Sequence, residues 1–133
     1  MISWHDDPPS PDEYVHLRKK AGLGTRSRNA AEIGLRRSLH CLTCRDDDEL
    51  IAMGRVVGDG GCFVQLVDIA VAPTHQGRGI GSEMTDRLVR WCEASLPATC
   101  HISLVSSDRA VPLYRAWGFR DCRGLDRYAD PTL

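Results

Sequence analysis

The feature that most constrains this chain is a glycine-rich stretch, HQGRGIGSEM, which directly follows an apolar run, VDIAVAP. Gly77, Gly79 and Gly81 alternate with other residues, and Arg78 stands between two of them. Apolar residues then recur at helical spacing, so the pattern predicts a strand, a tight turn and a helix in succession. A turn alone would need one or two glycines. The additional glycine indicates that the backbone comes close to a ligand.

This arrangement is a general design for binding an anion. The first amide N–H groups of a helix have no partner inside the helix and carry a partial positive charge. Glycine removes the Cβ that would keep an anion away from them, and Arg78 adds a full positive charge. A P-loop is excluded because no lysine follows Gly81. The dinucleotide fingerprint fits poorly because Ser82 occupies its third glycine position.

The overall composition indicates that any anion site is local. The chain has 133 residues, of which 42% are hydrophobic and 26% are charged, and its formal net charge is −1. These values predict a single globular domain over residues 1–133, with no general attraction to nucleic acid or to an anionic membrane. No apolar run is long enough to cross a bilayer, and the N-terminus lacks the pattern of a secretory signal. We therefore expect a cytoplasmic protein.

The chain contains 6 cysteines, and Cys41 and Cys44 have the C-x-x-C spacing of some zinc and redox sites. A single pair of this kind, without a second pair or a histidine motif, is a weak metal signal. On a strand the two side chains would point to opposite faces, because the side-chain period is two. We expect free thiols that fill the core, and no metal site.

The remaining patterns predict the order of the elements. Ser10, Pro11 and Glu13 form a helix start with a capping box, and Asn29 and Glu32 have the same relationship in a second helix. Strands are predicted at LHCLTCR and ELIAMGRVVG, followed by a GDGG hairpin turn and the long strand CFVQLVDIAV. After the helix that follows the glycines come a strand CHISLVS, a short helix DRAVPLYRAW and a last strand beginning at FRDC. The order α-α-β-β-β-α-β-α-β predicts an α+β or mixed α/β domain.

The sequence resembles the GNAT superfamily of acyl-CoA-dependent N-acetyltransferases over roughly residues 50–122. Gln76, Gly79 and Gly81 match the motif Q/R-x-x-G-x-G/A of that superfamily, the preceding strand ends in V-x-P, and LYRAWGF lies downstream. The resemblance implies a central mixed, mostly antiparallel sheet flanked by helices. It also implies that two strands splay apart to form a slot for acetyl-CoA.

The resemblance further implies roles for individual residues. The loop amides would hold the pyrophosphate of acetyl-CoA, and the preceding strand would pair with the pantetheine arm while one of its N–H groups polarises the thioester carbonyl. Tyr114 matches the family tyrosine that protonates the departing CoA thiolate. Ser107 stands where many members carry an asparagine that contacts the cofactor, and its hydroxyl can also donate or accept. The expected cofactor-binding residues are Ile69, Ala70, Val71, Gln76, Gly77, Arg78, Gly79, Ile80, Gly81, Ser82, Ser107 and Tyr114.

The group that takes the proton from the acceptor amine is harder to identify. Asp68 lies on the strand that would face the reaction centre, within the apolar run QLVDIAV, where an unpaired carboxylate is costly to bury. We expect Asp68 to be the general base, with a satisfied structural aspartate as the alternative. His101 on the neighbouring strand, His75 (expected to be a surface turn residue) and a water relay are the other candidates.

The leading functional hypothesis is transfer of an acetyl group from acetyl-CoA to a primary amine of a small molecule. The amine would attack directly in a ternary complex, with no covalent enzyme intermediate. The alternative is a CoA-sensing or partner-binding module that keeps the cofactor site without turnover. The acidic residues Asp6 and Asp7 and residues 46–48 could attract a cationic amine, although such runs are usually solvated turns. Dimers are common in the family, and a homodimer is left open.

Overall fold

The computed structural model describes residues 1–133 and contains one five-stranded sheet flanked by helices. The strands are β1 (Ile2–His5), β2 (His40–Asp46), β3 (Glu49–Gly58), β4 (Phe63–Val71) and β5 (His101–Ser103). The helices are α1 (Pro11–Lys20), α2 (Arg28–Arg36), α3 (Ile80–Ser95) and α4 (Val111–Ala116). Short 3-10 turns at Pro73–His75 and Asp108–Ala110 precede α3 and α4. The mixed, mostly antiparallel architecture expected from the sequence is confirmed.

The strands lie side by side in chain order, and only β4 and β5 run parallel. Parallel neighbours need a crossover connection, which α3 supplies between the end of β4 and the start of β5. The two strands are in register only from Phe63 to Gln65 of β4. Beyond Gln65 they separate, and the edge of β4 that faces β5 is left without a strand partner. This separation is the splay that the resemblance implies.

An apolar core lies between the sheet and α3. Along α3, buried apolar side chains recur at a spacing of four residues, namely Ile80, Met84, Leu88 and Cys92. The backbone of β3 comes close to this face at Gly54, where an added Cβ would lie 2.7 Å from Leu88 Cδ1. Any larger residue at this position would force the side chains of Leu88 and Met84 to shift. This contact sets the place of α3, and with it the place of the loop that leads into that helix.

Both predicted N-terminal helices are present, but only the first begins as predicted. The N–H of Glu13 donates to Ser10 Oγ and the N–H of Ser10 donates to Glu13 Oε1, each at 3.1 Å, which confirms the capping box. In α2 the cap is Ser27, whose Oγ accepts from the N–H of Ala30 at 3.0 Å. The prediction that Asn29 caps this helix is wrong. Serine and asparagine are both favoured capping residues, so the local sequence does not choose between them.

The two ends of the predicted element order are also wrong. A first strand, β1, pairs antiparallel with β2, and the sequence analysis missed it because its four residues are too few to show a reliable alternation. At the other end, residues 120–133 contain no strand, so the one predicted to begin at FRDC is absent. These residues are exposed and mostly polar, and they offer no apolar face to bury against the sheet.

The cysteines are free, as expected. Cys41 and Cys44 are buried on β2, and burial raises the pKa of both thiols, which is typical of inert core cysteines. No cluster of three or more histidine, cysteine, aspartate or glutamate side chains has an arrangement suited to a metal ion. None of the helices combines the length and the apolar character needed to span a membrane.

Candidate active site

The glycine-rich loop, residues 76–82, leads from the end of β4 into the first turn of α3. Gly77 and Gly79 both have φ of 80°, a conformation that residues with a Cβ rarely adopt. Gly79 is the N-cap of α3, and no side chain caps that helix. Gln76 ties the loop back to β4, because its Nε2 donates to the carbonyl oxygen of Val71 at 3.0 Å. The shape of the loop is therefore set by contacts within the chain.

None of the backbone N–H groups in the loop, residues 76–82, donates a hydrogen bond to another group of the protein. A Cβ added at Gly77 or Gly79 would meet no atom within 4 Å, so the space beside both residues is open. N–H groups at the start of a helix carry a partial positive charge. The loop therefore offers an anion several donors, at a place that the anion can reach.

The loop forms one wall of a cleft with a volume of about 520 Å³. Its other walls come from the end of β4, the start of α4 and the connection between α1 and α2. The cleft brings together most of the predicted cofactor-binding residues: Ile69, Ala70, Val71, Gln76, Gly77, Gly79, Ile80, Gly81, Ser82 and Tyr114. Arg78 and Ser107 are exposed and do not line it.

Tyr114 lies where this cleft meets a second cavity of about 520 Å³, and it is the single residue that lines both. Its ring packs edge-on against Phe119, with the centroids 6.0 Å apart. Burial raises the pKa of the Tyr114 phenol, and the hydroxyl of Thr85 opposes this effect in part. A phenol with a raised pKa stays protonated at neutral pH, so Tyr114 has a proton to donate to a leaving group in the cleft.

Asp68 does not line the cleft, and its side chain is only 4% exposed. Its Oδ1 accepts a hydrogen bond from Arg18 Nη1 of α1. Its Oδ2 accepts from Arg55 Nε of β3 and from the hydroxyl of Tyr14, each at 2.8 Å. Both carboxylate oxygens are engaged, two of the donors are charged, and neither oxygen is open to the cleft. This environment matches the alternative of a satisfied structural aspartate and argues against Asp68 as the general base.

The two histidines considered as bases are far from equivalent. His75 is buried and lines the cleft near the glycine-rich loop, so the prediction of a surface turn residue is wrong. Its Nε2 lies 2.9 Å from Asp46 Oδ2 and its Nδ1 lies 2.7 Å from Thr74 Oγ1, so both ring nitrogens have partners. His101 is exposed on β5 and lines only the second cavity. The structure therefore places neither histidine with a free nitrogen in the cleft.

The sequence analysis missed the walls that distant segments contribute. Ala21 and Leu23 come from the connection between α1 and α2, Arg109 comes from the 3-10 turn before α4, and Leu113 comes from α4 itself. Arg109 has no ion-pair partner, and no aspartate or glutamate lines the cleft. No motif marks Ala21, Leu23 or Arg109, and although Leu113 begins the LYRAWGF stretch, only the tertiary fold brings these four residues to the loop.

The family model of the acetyltransferase (GNAT) family matches residues 2–119. The chain belongs to the GNAT acetyltransferase family. This finding agrees with the splayed β4 and β5 and with the open loop at the start of α3.

Similar structures and sequences support this assignment. A probable acetyltransferase from meticillin-resistant Staphylococcus aureus is 35% identical, with a TM-score of 0.90 over 96% of this chain and 99% of that one. A predicted acetyltransferase of Clostridium acetobutylicum solved with acetyl-CoA is 21% identical, with a TM-score of 0.73 over 96% of each chain, and shows the same fold. The mycothiol acetyltransferase of Kocuria rhizophila is 25% identical over 95% of this chain and 44% of its own length. This GNAT chain spans less than half the length of the curated relatives that it matches.

Proposed function

We propose that this GNAT protein is an N-acetyltransferase that transfers an acetyl group from acetyl-CoA to a primary amine of a small molecule, by direct attack in a ternary complex. The observation that carries the proposal is the row of unpaired N–H groups at residues 76–82, which borders a cleft that also contains Tyr114. GNAT proteins use acetyl-CoA, and a protein of the same fold has been solved with it. Bound here, acetyl-CoA would supply a thioester that an amine can attack.

The loop and β4 would hold the two ends of the cosubstrate. The amides of residues 76–82 would bind the pyrophosphate, with Arg78 adding charge from outside the cleft. The edge of β4 at Ile69, Ala70 and Val71 has no strand partner on the side of β5, so its backbone groups can pair with the pantetheine arm as with an added strand. The Ile69 N–H would donate to the thioester carbonyl oxygen and stabilise the charge that develops there. Ser107, just before α4, would contact the cosubstrate through its hydroxyl.

Tyr114 would donate its proton to the sulfur of the leaving thiol. Replacing Tyr114 with phenylalanine keeps the ring but removes that proton. We expect kcat to fall about 100-fold or more while the Kd for acetyl-CoA changes little, because general acid catalysis contributes on this scale. Tyr128→Phe is the matched control, since Tyr128 lies exposed in the C-terminal segment. Equal losses of kcat and affinity would make Tyr114 a structural residue.

A water relay would take the proton of the acceptor amine. No carboxylate lines the cleft, Asp68 is engaged by arginines, and both nitrogens of His75 have partners. Water in the cleft remains as the acceptor that can reach an amine and pass its proton to solvent.

The size of the cleft supports a small acceptor, because about 520 Å³ is a volume typical of small-molecule sites and must also take the arm of the cosubstrate. We expect the enzyme to work in the cytoplasm. Release of free thiol from acetyl-CoA should be screened against polyamines, amino sugars, aminoglycosides, arylalkylamines and lysine peptides. A small amine should raise thiol release more than the peptides do. Binding of acetyl-CoA without stimulation by any amine would favour a CoA-sensing module instead.

A further inference from the structure

β4 contains an irregularity immediately before its cleft-lining segment. Gly54 of β3 stands opposite two residues of β4, Asp68 and Ile69, so β4 is bulged at this point. Asp68 has φ of 60°, and only one other non-glycine residue, Asp47, has a positive φ. A residue with a side chain keeps this conformation only where surrounding contacts hold it. The bulge therefore needs an anchor, and the side chain of Asp68 provides one.

The anchor is a buried cluster of Tyr14, Arg18, Arg55 and Asp68, which we term the Asp68 clamp. The side chains of Arg18 and Arg55 are 7% and 12% exposed, and Tyr14 is 3% exposed as a residue. The members come from α1, β3 and β4, and all three of the others donate hydrogen bonds to Asp68. The bulge is therefore held both by β3, its partner in the hairpin, and by α1, which lies outside that hairpin.

Arg18 extends the clamp to the connection between α1 and α2, and Arg55 extends it to the end of α2. Arg18 also donates to the carbonyl oxygen of Leu23, which lines the cleft opposite β4. Arg55 donates to the carbonyl oxygen of Gly34 at 2.9 Å and to Ser38 Oγ at 2.8 Å, at the end of α2. The clamp thus joins the cleft wall at Leu23 to β4, the strand that would lie beside the thioester of acetyl-CoA.

The electrostatics of the clamp keep Tyr14 and Arg55 protonated, so that both remain hydrogen-bond donors to Asp68. Burial, followed by the charge of Asp68, raises the pKa of Tyr14, so its hydroxyl remains a donor. Burial alone would lower the pKa of Arg55, but the hydrogen bond and charge of Asp68 outweigh it and raise that pKa. A buried ion pair is costly to break on one side, because the remaining charge is left without compensation. The clamp therefore favours a single arrangement of the bulge.

We infer that Asp68 is a positioning residue for acetyl transfer: the clamp holds the bulge so that the neighbouring Ile69 N–H points at the thioester carbonyl oxygen. The inference rests on the proposed function, in which the Ile69 N–H is the donor to that oxygen. In this view Asp68 does not transfer a proton. It acts by fixing the backbone of β4, which orients the Ile69 N–H. This role also makes Tyr14, Arg18 and Arg55 part of the support for the reaction centre, although among the three elements of the clamp only β4 would contact the thioester.

The test is isotope-edited infrared spectroscopy of acetyl-CoA carrying a 13C-labelled acetyl carbonyl, because a hydrogen bond to a carbonyl lowers its stretching frequency. The wild-type protein should shift the band of bound acetyl-CoA to lower frequency. Tyr14→Phe, which removes one donor, should reduce the shift, and Asp68→Asn should remove most of it. The preference of the protein for acetyl-CoA over free CoA should fall in parallel, by up to about fivefold, the worth of one hydrogen bond.

Glu13→Gln is the matched control. Glu13 lies on α1 and pairs with Arg45, so its loss perturbs the same helix without touching the clamp. This variant should lower the melting temperature and leave the carbonyl band and the acetyl-CoA preference unchanged. If Asp68→Asn does not fold, the comparison of Tyr14→Phe with Glu13→Gln decides the question.

The outcomes separate the inference from the proposed function. A wild-type protein that does not bind acetyl-CoA would overturn the proposed function and the inference together. A normal wild-type shift that stays unchanged in Tyr14→Phe and Asp68→Asn would overturn the inference alone. Loss of kcat in Asp68→Asn with an unmoved carbonyl band would also overturn it, because that result identifies Asp68 as a proton acceptor.

Discussion

The chain contains two glycine-rich turns, at residues 58–61 and 76–82, and they treat their backbone N–H groups in opposite ways. In the first turn, Asp59 Oδ1 accepts from the N–H groups of Gly61, Cys62 and Phe63 at 2.8, 2.8 and 3.0 Å. In the second loop no N–H group has a partner within the protein. Glycine content therefore does not distinguish a structural turn from a ligand loop. The distinguishing feature is whether the chain supplies its own anion.

Charge placement explains the difference. The three N–H donors hold the pKa of Asp59 below its usual value, so its carboxylate is a strong internal partner. The second loop contains no acidic residue, and the first one after it, Glu83, pairs with Arg87 one turn along α3 at 2.9 Å. The loop is left with a net positive character. An anion from outside the chain can take the place that Asp59 has in the first turn.

The largest expected effect comes from placing the same side chain in each turn. Gly79 and Gly60 have φ of 80° and 76°, so Gly79→Val and Gly60→Val carry a similar strain of about 1–3 kcal/mol. Gly79→Val should weaken acetyl-CoA binding about 100-fold or more, because the added side chain blocks the anion and removes charge-assisted hydrogen bonds. Gly60→Val should lower only stability. Calorimetry measures the affinity for acetyl-CoA, and thermal melts measure the stability of each variant. If Gly79→Val and Gly60→Val bound acetyl-CoA equally well, the proposed difference between the two turns would be wrong.

The next prediction tests whether the carboxylate of Asp59 holds the first turn together. Asp59→Ala removes the acceptor for three N–H groups, so it should lower the melting temperature and loosen the hairpin between β3 and β4. The affinity for acetyl-CoA should stay the same, because the cleft is lined by residues 69–71 at the end of β4 that lies away from this turn. Amide hydrogen exchange at residues 61–63 should rise at the same time. Unchanged exchange there would show that Asp59 does not hold the turn.

A smaller effect is expected from the exposed arginine of the second loop. Arg78→Gln removes a charge near the anion site but no backbone donor. The affinity for acetyl-CoA should fall by up to about fivefold at low salt, and the loss should shrink at higher ionic strength. Arg87→Gln provides a control, since Arg87 lies on α3, the helix that the loop leads into, and pairs with Glu83. If the loss of affinity did not depend on salt, Arg78 would be in direct contact with acetyl-CoA.

The smallest effect concerns pH. Because the pKa of Asp59 in the folded protein lies below 3.8, the value of an aspartate in an unfolded chain, its stabilising contribution is fully present above that pH. The contribution is lost as the pH falls through the folded pKa. Asp59→Asn keeps an oxygen acceptor without the charge, so the melting temperatures of wild type and variant should differ near neutral pH and converge in acid. A constant difference at all pH values would show that the charge is not responsible.

Some features could be predicted from the sequence because they depend on residues that are close in the chain. The capping box of Ser10 and Glu13 and the glycine-led start of α3 are of this kind, and both are confirmed. The cap of α2 was wrongly predicted, since Ser27 and Asn29 have similar capping tendencies and packing selects between them. The missed β1 is too short to have its own signal and exists because β2 offers it an edge.

The sequence by itself determined that a strand meets a helix through a loop of free N–H groups, because backbone geometry and helix polarity act within a few residues. Only the tertiary structure decided what Asp68 does. Its partners Arg18 and Tyr14 lie 50 and 54 residues away along the chain, and they convert a buried carboxylate in an apolar strand into an anchor. The cleft walls at Leu23 and Leu113 were likewise decided by packing, since apolar side chains specify burial but not the neighbours they acquire.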